Sequence, residues 1–385
     1  CQSLPPTVSL PQVLEAAEER ANWTTRREAI ERENAARSDG KRRGLGLACS
    51  YRGVSLGAEG VDAVGAIVSV QTDGSVIVTL GLTDMGQGVS TAMALIASEV
   101  LGVEMRRIKT MNVHTGRVPD SGPTVASRST IMGGQATKKA AEAVRDRLAE
   151  VAGESLHAPA GTVRFRAGRI EDPDSGRSLS FEEIVARAFD QGCPLLGFGW
   201  HHAPETSWDE KRGRGQAYFT FVYGANVAEV EVDTRTGKVD LLKMWAIHDV
   251  GQAISPAMVR SQVHGGVAMG MGYALLEDYA LEEGRPILGN FDEYLLPTTL
   301  DVPEVDVTIL ENPDAAGPFG AKSIGEPATE IAAPAIINAI AHATGRRIRS
   351  LPADLESVLL GRPLNRPARR AQAMRGEEGE RSCRR

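Results

Sequence analysis

Hydrophobic and polar residues follow two different periods along this chain, and the changes of period predict its elements. Residues 11–38 place apolar or small side chains among charges at helical spacing, which predicts one or two exposed helices that lead into the main domain. Residues 61–81 and 225–247 instead carry paired β-branched runs around short glycine-containing turns, a pattern typical of β-hairpins. Two strand pairs are therefore expected after the helical lead-in.

A glycine-rich loop that leads into a helical pattern occurs three times. The first is GLTDMGQG (81–88), the second begins with GPTVASRST (122–130), and the third covers residues 317–325. The first N–H groups of a helix lack intrahelical partners and lie at the positive end of its dipole, so such loops bind phosphates and other anions. One such loop is more often an ordinary tight turn, whereas three together favour a ligand without naming it.

These patterns predict an α+β protein in which mixed β-sheets are flanked by helices. We expect a helical lead-in at 1–45, a binding domain at 46–360 made of two α+β subdomains, and a charged, disordered tail at 361–385. Residues 153–215 show no clear period and are predicted to form a surface excursion with one short helix near FEEIVARAF.

Composition narrows the class of function. The chain has 385 residues, 42% hydrophobic and 24% charged, with a formal net charge of -7, so it is long enough for a real core and too acidic for a nucleic-acid binder. No apolar run reaches the roughly 18 residues of a membrane span, and the first residues lack a secretory signal. We therefore expect a cytoplasmic protein that acts on a small molecule, with a lipid-modified Cys1 as a minor alternative.

The cysteines and histidines do not predict a metal centre within the chain. The four cysteines are far apart and form no CxxC pair, so neither an iron–sulfur cluster nor a zinc site is expected. His201 and His202 are adjacent, so their side chains point to opposite faces of a strand. His248 and His264 have no second ligand residue nearby at a spacing typical of a metal site. We expect solvent-exposed or core roles for these side chains.

Two familiar motifs fail on inspection. The MGQG stretch would need a third glycine where Thr91 stands to match the dinucleotide-binding fingerprint. A literal G-x-S-x-G at 53–57 would make Ser55 a hydrolase nucleophile, but a loop and a strand follow it where that mechanism needs a helix. A serine hydrolase is therefore a weak alternative.

Four stretches occur in the following order between residues 81 and 328: GLTDMGQG, GPTVASRST-x-x-GGQA, SQVHGG and KSIGEPA. Together they resemble the C-terminal half of the molybdopterin-binding large subunit in the xanthine dehydrogenase and aldehyde oxidase family of molybdenum hydroxylases. The resemblance implies a molybdenum–molybdopterin cofactor, expected in its cytosine dinucleotide form. It also implies hydroxylation of an electron-poor carbon in an N-heteroaromatic substrate such as a purine or nicotinate, with an aldehyde as the runner-up.

The resemblance further implies roles for individual residues. Glu326 would act as the catalytic base toward a molybdenum-bound hydroxide; the alternative is a first-turn glutamate that complements a helix dipole, which contributes only about 0.3 to 1 kcal/mol. No residue of the chain is assigned as a metal ligand. Ser127 and Ser129 have capping as their ordinary alternative. The cofactor-binding residues would be Gly86, Gln87, Gly88, Ala126, Ser127, Arg128, Ser129, Gln262, Lys322, Ser323 and Gly325.

The resemblance also implies partner chains, because parts of the family's enzymes have no counterpart in this sequence. The N-terminal half of the family's large subunit, with its glycine–phenylalanine loop, has no counterpart in this sequence. We therefore expect a split subunit resembling nicotinate dehydrogenase, or a fragment, that works with a separate N-terminal half, a subunit carrying [2Fe–2S] clusters and an FAD subunit. A non-catalytic partner that only binds the cofactor is the alternative.

Overall fold

The computed structural model describes residues 2, 4 and 8–361, so all but the first residue of the tail predicted at 361–385 lies outside the described residues. Its helices are α1 (Leu10–Ala21), α2 (Trp23–Ala36), α3 (Val89–Leu101), α4 (Gly134–Leu156), α5 (Phe181–Asp190), α6 (Pro256–Leu275), α7 (Pro327–Glu330), α8 (Ala332–Thr344) and α9 (Leu355–Leu360). Its strands are β1 (Lys41–Gly53), β2 (Ala63–Val70), β3 (Val76–Leu80), β4 (Ile108–Thr110), β5 (Arg164–Arg166), β6 (Arg169–Glu171), β7 (Ser178–Ser180), β8 (Leu196–His202), β9 (Ser207–Asp209), β10 (Arg214–Gln216), β11 (Phe221–Asp233), β12 (Val239–Asp249), β13 (Leu281–Glu282), β14 (Arg285–Pro286) and β15 (Glu304–Leu310).

The first sheet has the order β1-β11-β12-β15, with antiparallel pairs except for the parallel pair β12 and β15. The hairpin of β11 and β12 confirms the one predicted at 225–247. Helix α8 packs directly on β1, because a Cβ added at Gly44 or Gly46 would lie 2.0 or 2.1 Å from backbone atoms of Ala339. Glycine in β1 therefore lets this helix approach the sheet, and α8 carries the third predicted loop on its N-terminal side.

The N-terminal helices pack against the opposite face of the same sheet. Val13 and Ala17 of α1 and Ile30 of α2 are fully buried in a core shared with β11 and β12. Arg26 donates from Nε to Glu229 Oε2 at 2.9 Å, which ties α2 to the sheet. The segment expected as an exposed lead-in is thus part of the core, and β1 begins at Lys41, before the boundary predicted at 45.

The second sheet has the order β4-β3-β2-β8 and a core of its own. Its β2–β3 hairpin confirms the prediction for 61–81. Helix α4 covers one face, and a Cβ added at Gly197 or Gly199 of β8 would lie 2.1 or 2.0 Å from a carbonyl oxygen of α4. The short helix predicted near FEEIVARAF is confirmed as α5, but residues 153–215 are not a surface excursion, because they contribute an edge strand and the buried side chains of α5. The mixed sheets with helices on their faces confirm the α+β class.

His248 and Asn226 lie in the buried interior of the first sheet. Both side chains are fully buried, and none of their nitrogen or oxygen atoms has a hydrogen-bond partner among the described residues. Burial lowers the pKa of His248 to about 4, because an imidazolium would lose its hydration there. The native protein therefore holds this histidine neutral.

We expect His248 to make stability depend on pH. Its native pKa of about 4 lies below the unfolded value of about 6.5, so the unfolded chain binds an extra proton between these values and stability is lost as pH falls through them. His248→Gln should flatten the loss between pH 7 and 4.5 by on the order of 2 kcal/mol in urea unfolding. The exposed His264→Gln serves as the control, and an unchanged slope in His248→Gln would contradict this expectation.

Candidate functional site

One cavity of ≈ 680 Å³ lies where the predicted loops meet helix α6. It is bounded by loops from both sheets, so its walls come from segments far apart in sequence. The structure brings together on this wall nearly all the residues assigned from the sequence: Gly86, Gln87, Gly88, Ala126, Ser127, Ser129, Gln262, Lys322, Ser323, Gly325 and Glu326. Arg128 is the exception and lies in the core.

The first loop binds its own carboxylate. Asp84 accepts hydrogen bonds from the N–H groups of Gly86 and Gly88 at 3.0 and 3.2 Å and of Ser90 at 3.1 Å. Burial opposes ionisation of Asp84, but these donors lower the pKa of its carboxyl. Gln87 Nε2 also donates to a carbonyl oxygen of the same loop at 2.9 Å. The amides expected to bind a ligand anion are therefore already paired with Asp84, a residue that the sequence pattern did not single out.

The second loop has a strained backbone at the cavity. Ala126 and Ser127 have φ of 52° and 49°, in the left-handed region that non-glycine residues rarely occupy. This conformation accompanies a close contact with the third loop, in which Ser127 Oγ accepts from the backbone N–H of Glu326 at 3.0 Å. Ser129 then begins a π-helical turn that continues into α4. The second loop is thus joined directly to the third.

Arg128 supports this loop from the core. Its side chain is fully buried and forms an ion pair with Asp62 at 2.6 Å. It also donates to the carbonyl oxygens of Ser121 and Pro123, both at 2.7 Å. The assignment of Arg128 as a cofactor-lining residue needs correction, because its guanidinium is fully engaged beneath the loop. No sequence pattern connects Arg128 with Asp62, which lies 66 residues away.

Ser55 belongs to the same support. It is buried, its hydroxyl donates to Asp62, and its backbone N–H donates to the carbonyl oxygen of Ala126 at 2.9 Å. A short 3-10 turn and then β2 follow it, without the helix of a nucleophile elbow. Ser55 therefore stabilises the second loop instead of facing a substrate.

The third loop is anchored by a buried ion pair and carries a buried hydroxyl. The ammonium of Lys322 is fully buried in an ion pair with Asp249 at 2.7 Å, so this side chain anchors the loop. Ser323 Oγ is buried and has no hydrogen-bond partner among the described residues. A Cβ added at Gly325 would lie 3.5 Å from Ser127 Oγ, an ordinary contact, so the described residues do not by themselves require glycine there.

Glu326 stands at the start of α7, with Pro327 at the first helical position. Its Oε2 accepts from Ser127 Oγ at 2.8 Å and from Arg52 Nη2 at 2.9 Å. Among the described residues no donor reaches Oε1, the side chain is 47% exposed, and Glu326 lines the cavity. Arg52 lies 274 residues away and was missed by sequence reasoning, since no local pattern marks it.

Comparison with known proteins identifies the family of the chain. Residues 16–303 match the family model of the molybdopterin cofactor-binding domain. The chain belongs to this family of molybdopterin-binding domains. The match confirms the resemblance drawn from the four sequence stretches.

Two bacterial relatives agree with this assignment. A probable xanthine dehydrogenase subunit of Bacillus subtilis (strain 168) is 30% identical over 321 residues, which cover 82% of this chain and 42% of the relative. The 6-hydroxypseudooxynicotine dehydrogenase complex subunit gamma of Paenarthrobacter nicotinovorans is 32% identical over 346 residues, covering 88% and 42%. The chain thus spans less than half the length of these relatives.

Solved structures show the same fold. Quinoline 2-oxidoreductase from Pseudomonas putida 86 superposes with a TM-score of 0.79 at 26% identity, covering 92% of this chain and 46% of that one. The aldehyde oxidoreductase from Desulfovibrio desulfuricans ATCC 27774 superposes with a TM-score of 0.73 at 29% identity, covering 93% of this chain and 36% of that one.

Within residues 8–361, no helix is long and apolar enough to cross a membrane, and no cluster of three or more His, Cys, Asp or Glu could hold a metal ion.

We expect Arg128→Met to destabilise the protein by about 3 kcal/mol or more, because it leaves the Asp62 carboxylate buried without its partner. Urea unfolding would measure the loss. Arg145→Met is the matched control: its pair with Asp146 is exposed, so a change of at most about 1 kcal/mol is expected. Normal stability of Arg128→Met together with weaker cofactor binding would instead restore the role first assigned to Arg128.

Proposed function

We propose that the cavity binds the molybdopterin cofactor and that the chain provides the second half of a molybdenum hydroxylase active site. A volume of ≈ 680 Å³ is typical of small-molecule sites. The wall is open at Gly86 and Gly265, where an added Cβ would meet no atom within 4 Å. The buried hydroxyl of Ser323, a residue of the cavity wall, has no hydrogen-bond partner among the described residues. These features fit a small-molecule ligand that approaches the backbone closely at the two glycines.

The observation that carries the proposal is the arrangement of Glu326. When bound, the cofactor would supply oxygen transfer and two-electron redox chemistry. The chain itself supplies a carboxylate whose Oε2 is held by Ser127 and Arg52. The second oxygen, Oε1, has no donor among the described residues and can accept a proton from a group in the cavity. We therefore assign Glu326 the role of general base.

The proposed substrate is an N-heteroaromatic ring of the purine or nicotinate type, hydroxylated at an electron-poor carbon. Support comes from relatives named for such rings, the probable xanthine dehydrogenase subunit of Bacillus subtilis and quinoline 2-oxidoreductase. An aldehyde is the alternative, since the Desulfovibrio aldehyde oxidoreductases share the fold at 28% and 29% identity.

The proposed assembly contains further chains. The chain spans 42% to 46% of several relatives, and we propose that the N-terminal half of the molybdopterin subunit completes the site, either as a separate chain or as another part of the same protein. An iron–sulfur subunit with [2Fe–2S] clusters and an FAD subunit would carry electrons away. The cytosine dinucleotide form of the cofactor is part of the same proposal.

Glu326→Gln should abolish catalysis in the assembled enzyme. We expect turnover to fall at least about 100-fold with molybdenum content unchanged, because an amide cannot accept the proton. Purines, nicotinate and aldehydes would each be assayed, and exposed Glu99→Gln on α3 is the matched control. Unchanged turnover at full molybdenum content would show that another residue or subunit performs the chemistry and would favour the non-catalytic alternative.

Chemical analysis of the nucleotide content can identify the form of the cofactor. Acid hydrolysis of the purified, molybdenum-loaded complex should release about one cytidine monophosphate per molybdenum atom, measured by chromatography, because the dinucleotide contains one nucleotide joined through a phosphate. A complex that contains molybdenum but releases neither cytidine nor guanosine monophosphate would show the mononucleotide form of the cofactor. Guanosine monophosphate in place of cytidine monophosphate would equally contradict the cytosine assignment, whereas adenosine monophosphate is expected from FAD.

A further inference from the structure

Arg52 joins two carboxylates on the cavity wall. It lies near the end of β1, and its Nη2 donates to Glu326 Oε2 at 2.9 Å. Its Nη1 donates to Glu330 Oε2 at 3.0 Å, one turn further along the same segment. All three residues line the cavity. One guanidinium thus bridges the proposed base and a second acid that the sequence did not single out.

The second acid has an anchor of its own. Glu330 Oε1 accepts from Ser50 Oγ at 2.5 Å, two residues before Arg52 on β1. Both oxygens of Glu330 are therefore paired with β1, which fixes the guanidinium between the strand and α7. A planar guanidinium can contact two acceptors at once in a fixed geometry, which a lysine ammonium cannot reproduce.

The charge balance requires this cation. Glu326 and Glu330 are like charges on neighbouring positions of a helical turn, so they repel each other. Within residues 8–361, Arg52 is the cation in ion-pair distance of either carboxylate. Its side chain is 33% exposed and that of Glu330 26%, so the pair is partly shielded from solvent.

We propose that Arg52 is a positioning residue for Glu326, with Glu330 as its anchor. Arg52 and Ser127 both hold Oε2, which leaves Oε1 as the proton acceptor. The inference rests on the proposed function of Glu326. It adds that a residue of β1, Arg52, sets the orientation of the Glu326 carboxylate.

The test uses the assembled molybdenum enzyme. In Arg52→Gln we expect kcat to fall about tenfold with KM within about twofold, because a misplaced base slows the reaction without changing substrate binding. Arg52→Lys should recover part of the loss in kcat, since it keeps the positive charge but not the planar guanidinium that contacts both carboxylates. Arg20→Gln, which breaks an exposed pair with Asp306, is the control and should match the parent enzyme. Molybdenum content and urea midpoint are measured for each variant.

A second variant keeps the inference testable if Arg52→Gln fails to assemble. Glu330→Ala leaves Arg52 and Glu326 in place and should lower kcat about threefold through a looser guanidinium. Unchanged kcat in Arg52→Gln, or in Glu330→Ala where Arg52→Gln does not assemble, would overturn the inference. A raised KM at unchanged kcat would also overturn it, because Arg52 would then bind substrate. A loss of molybdenum in both Arg52 variants would overturn it as well, because Arg52 would then retain the cofactor.

Failure of the positioning role can be told apart from failure of the proposed function. If Glu326→Gln keeps full turnover, the assignment of the base fails and this inference fails with it. If Glu326→Gln is inactive while Arg52→Gln and Glu330→Ala keep full kcat, only the positioning role is lost.

Discussion

Arg128 and Asp62 form a fully buried ion pair beneath the loop at 122–130, and the shape of the cavity wall depends on it. The guanidinium also gathers carbonyl oxygens of that loop, while Asp62 holds Ser55, whose N–H supports Ala126. Taking two charges out of water is costly, and such a pair is kept only when its remaining donors and acceptors are satisfied. Here those donors fix a strained backbone at Ala126 and Ser127, and thereby the position of the Ser127 hydroxyl.

The Ser127 hydroxyl connects two parts of the protein with separate cores. Ser127 precedes α4, which packs on the second sheet, whereas Glu326 precedes α7 and α8 beside the first. The hydrogen bonds between these two residues include one to a carboxylate, the stronger class, worth on the order of 1.5 to 3 kcal/mol. The cavity therefore exists only while the two cores stay docked, and the proposed base is held at their junction.

Local patterns predicted the elements well. The two hairpins and the loops on the cavity wall all follow from periods and turn residues nearby in sequence. What could not be predicted was long-range pairing. Asp62 with Arg128 and Arg52 with Glu326 join residues 66 and 274 positions apart, and no local rule connects such charges.

Three further expectations failed for other reasons. Helix α1 was expected to be exposed because charged residues are mixed among its apolar and small ones, yet the buried Val13 and Ala17 pack it against the sheet. Residues 153–215 lack a period because short strands and a single amphipathic helix are too brief to show one. Asp84 fills the first loop's amides, which shows that a free helix N-terminus cannot be inferred from glycines alone.

Glu326 is proposed to accept the proton during substrate oxidation, and one rate reports on this role most directly. It is the rate at which substrate reduces the assembled, molybdenum-loaded enzyme in a single turnover without electron acceptor, followed by absorbance. We predict that Glu326→Gln slows this step at least about 100-fold while substrate still binds. A rate equal to that of the parent enzyme would contradict the assignment.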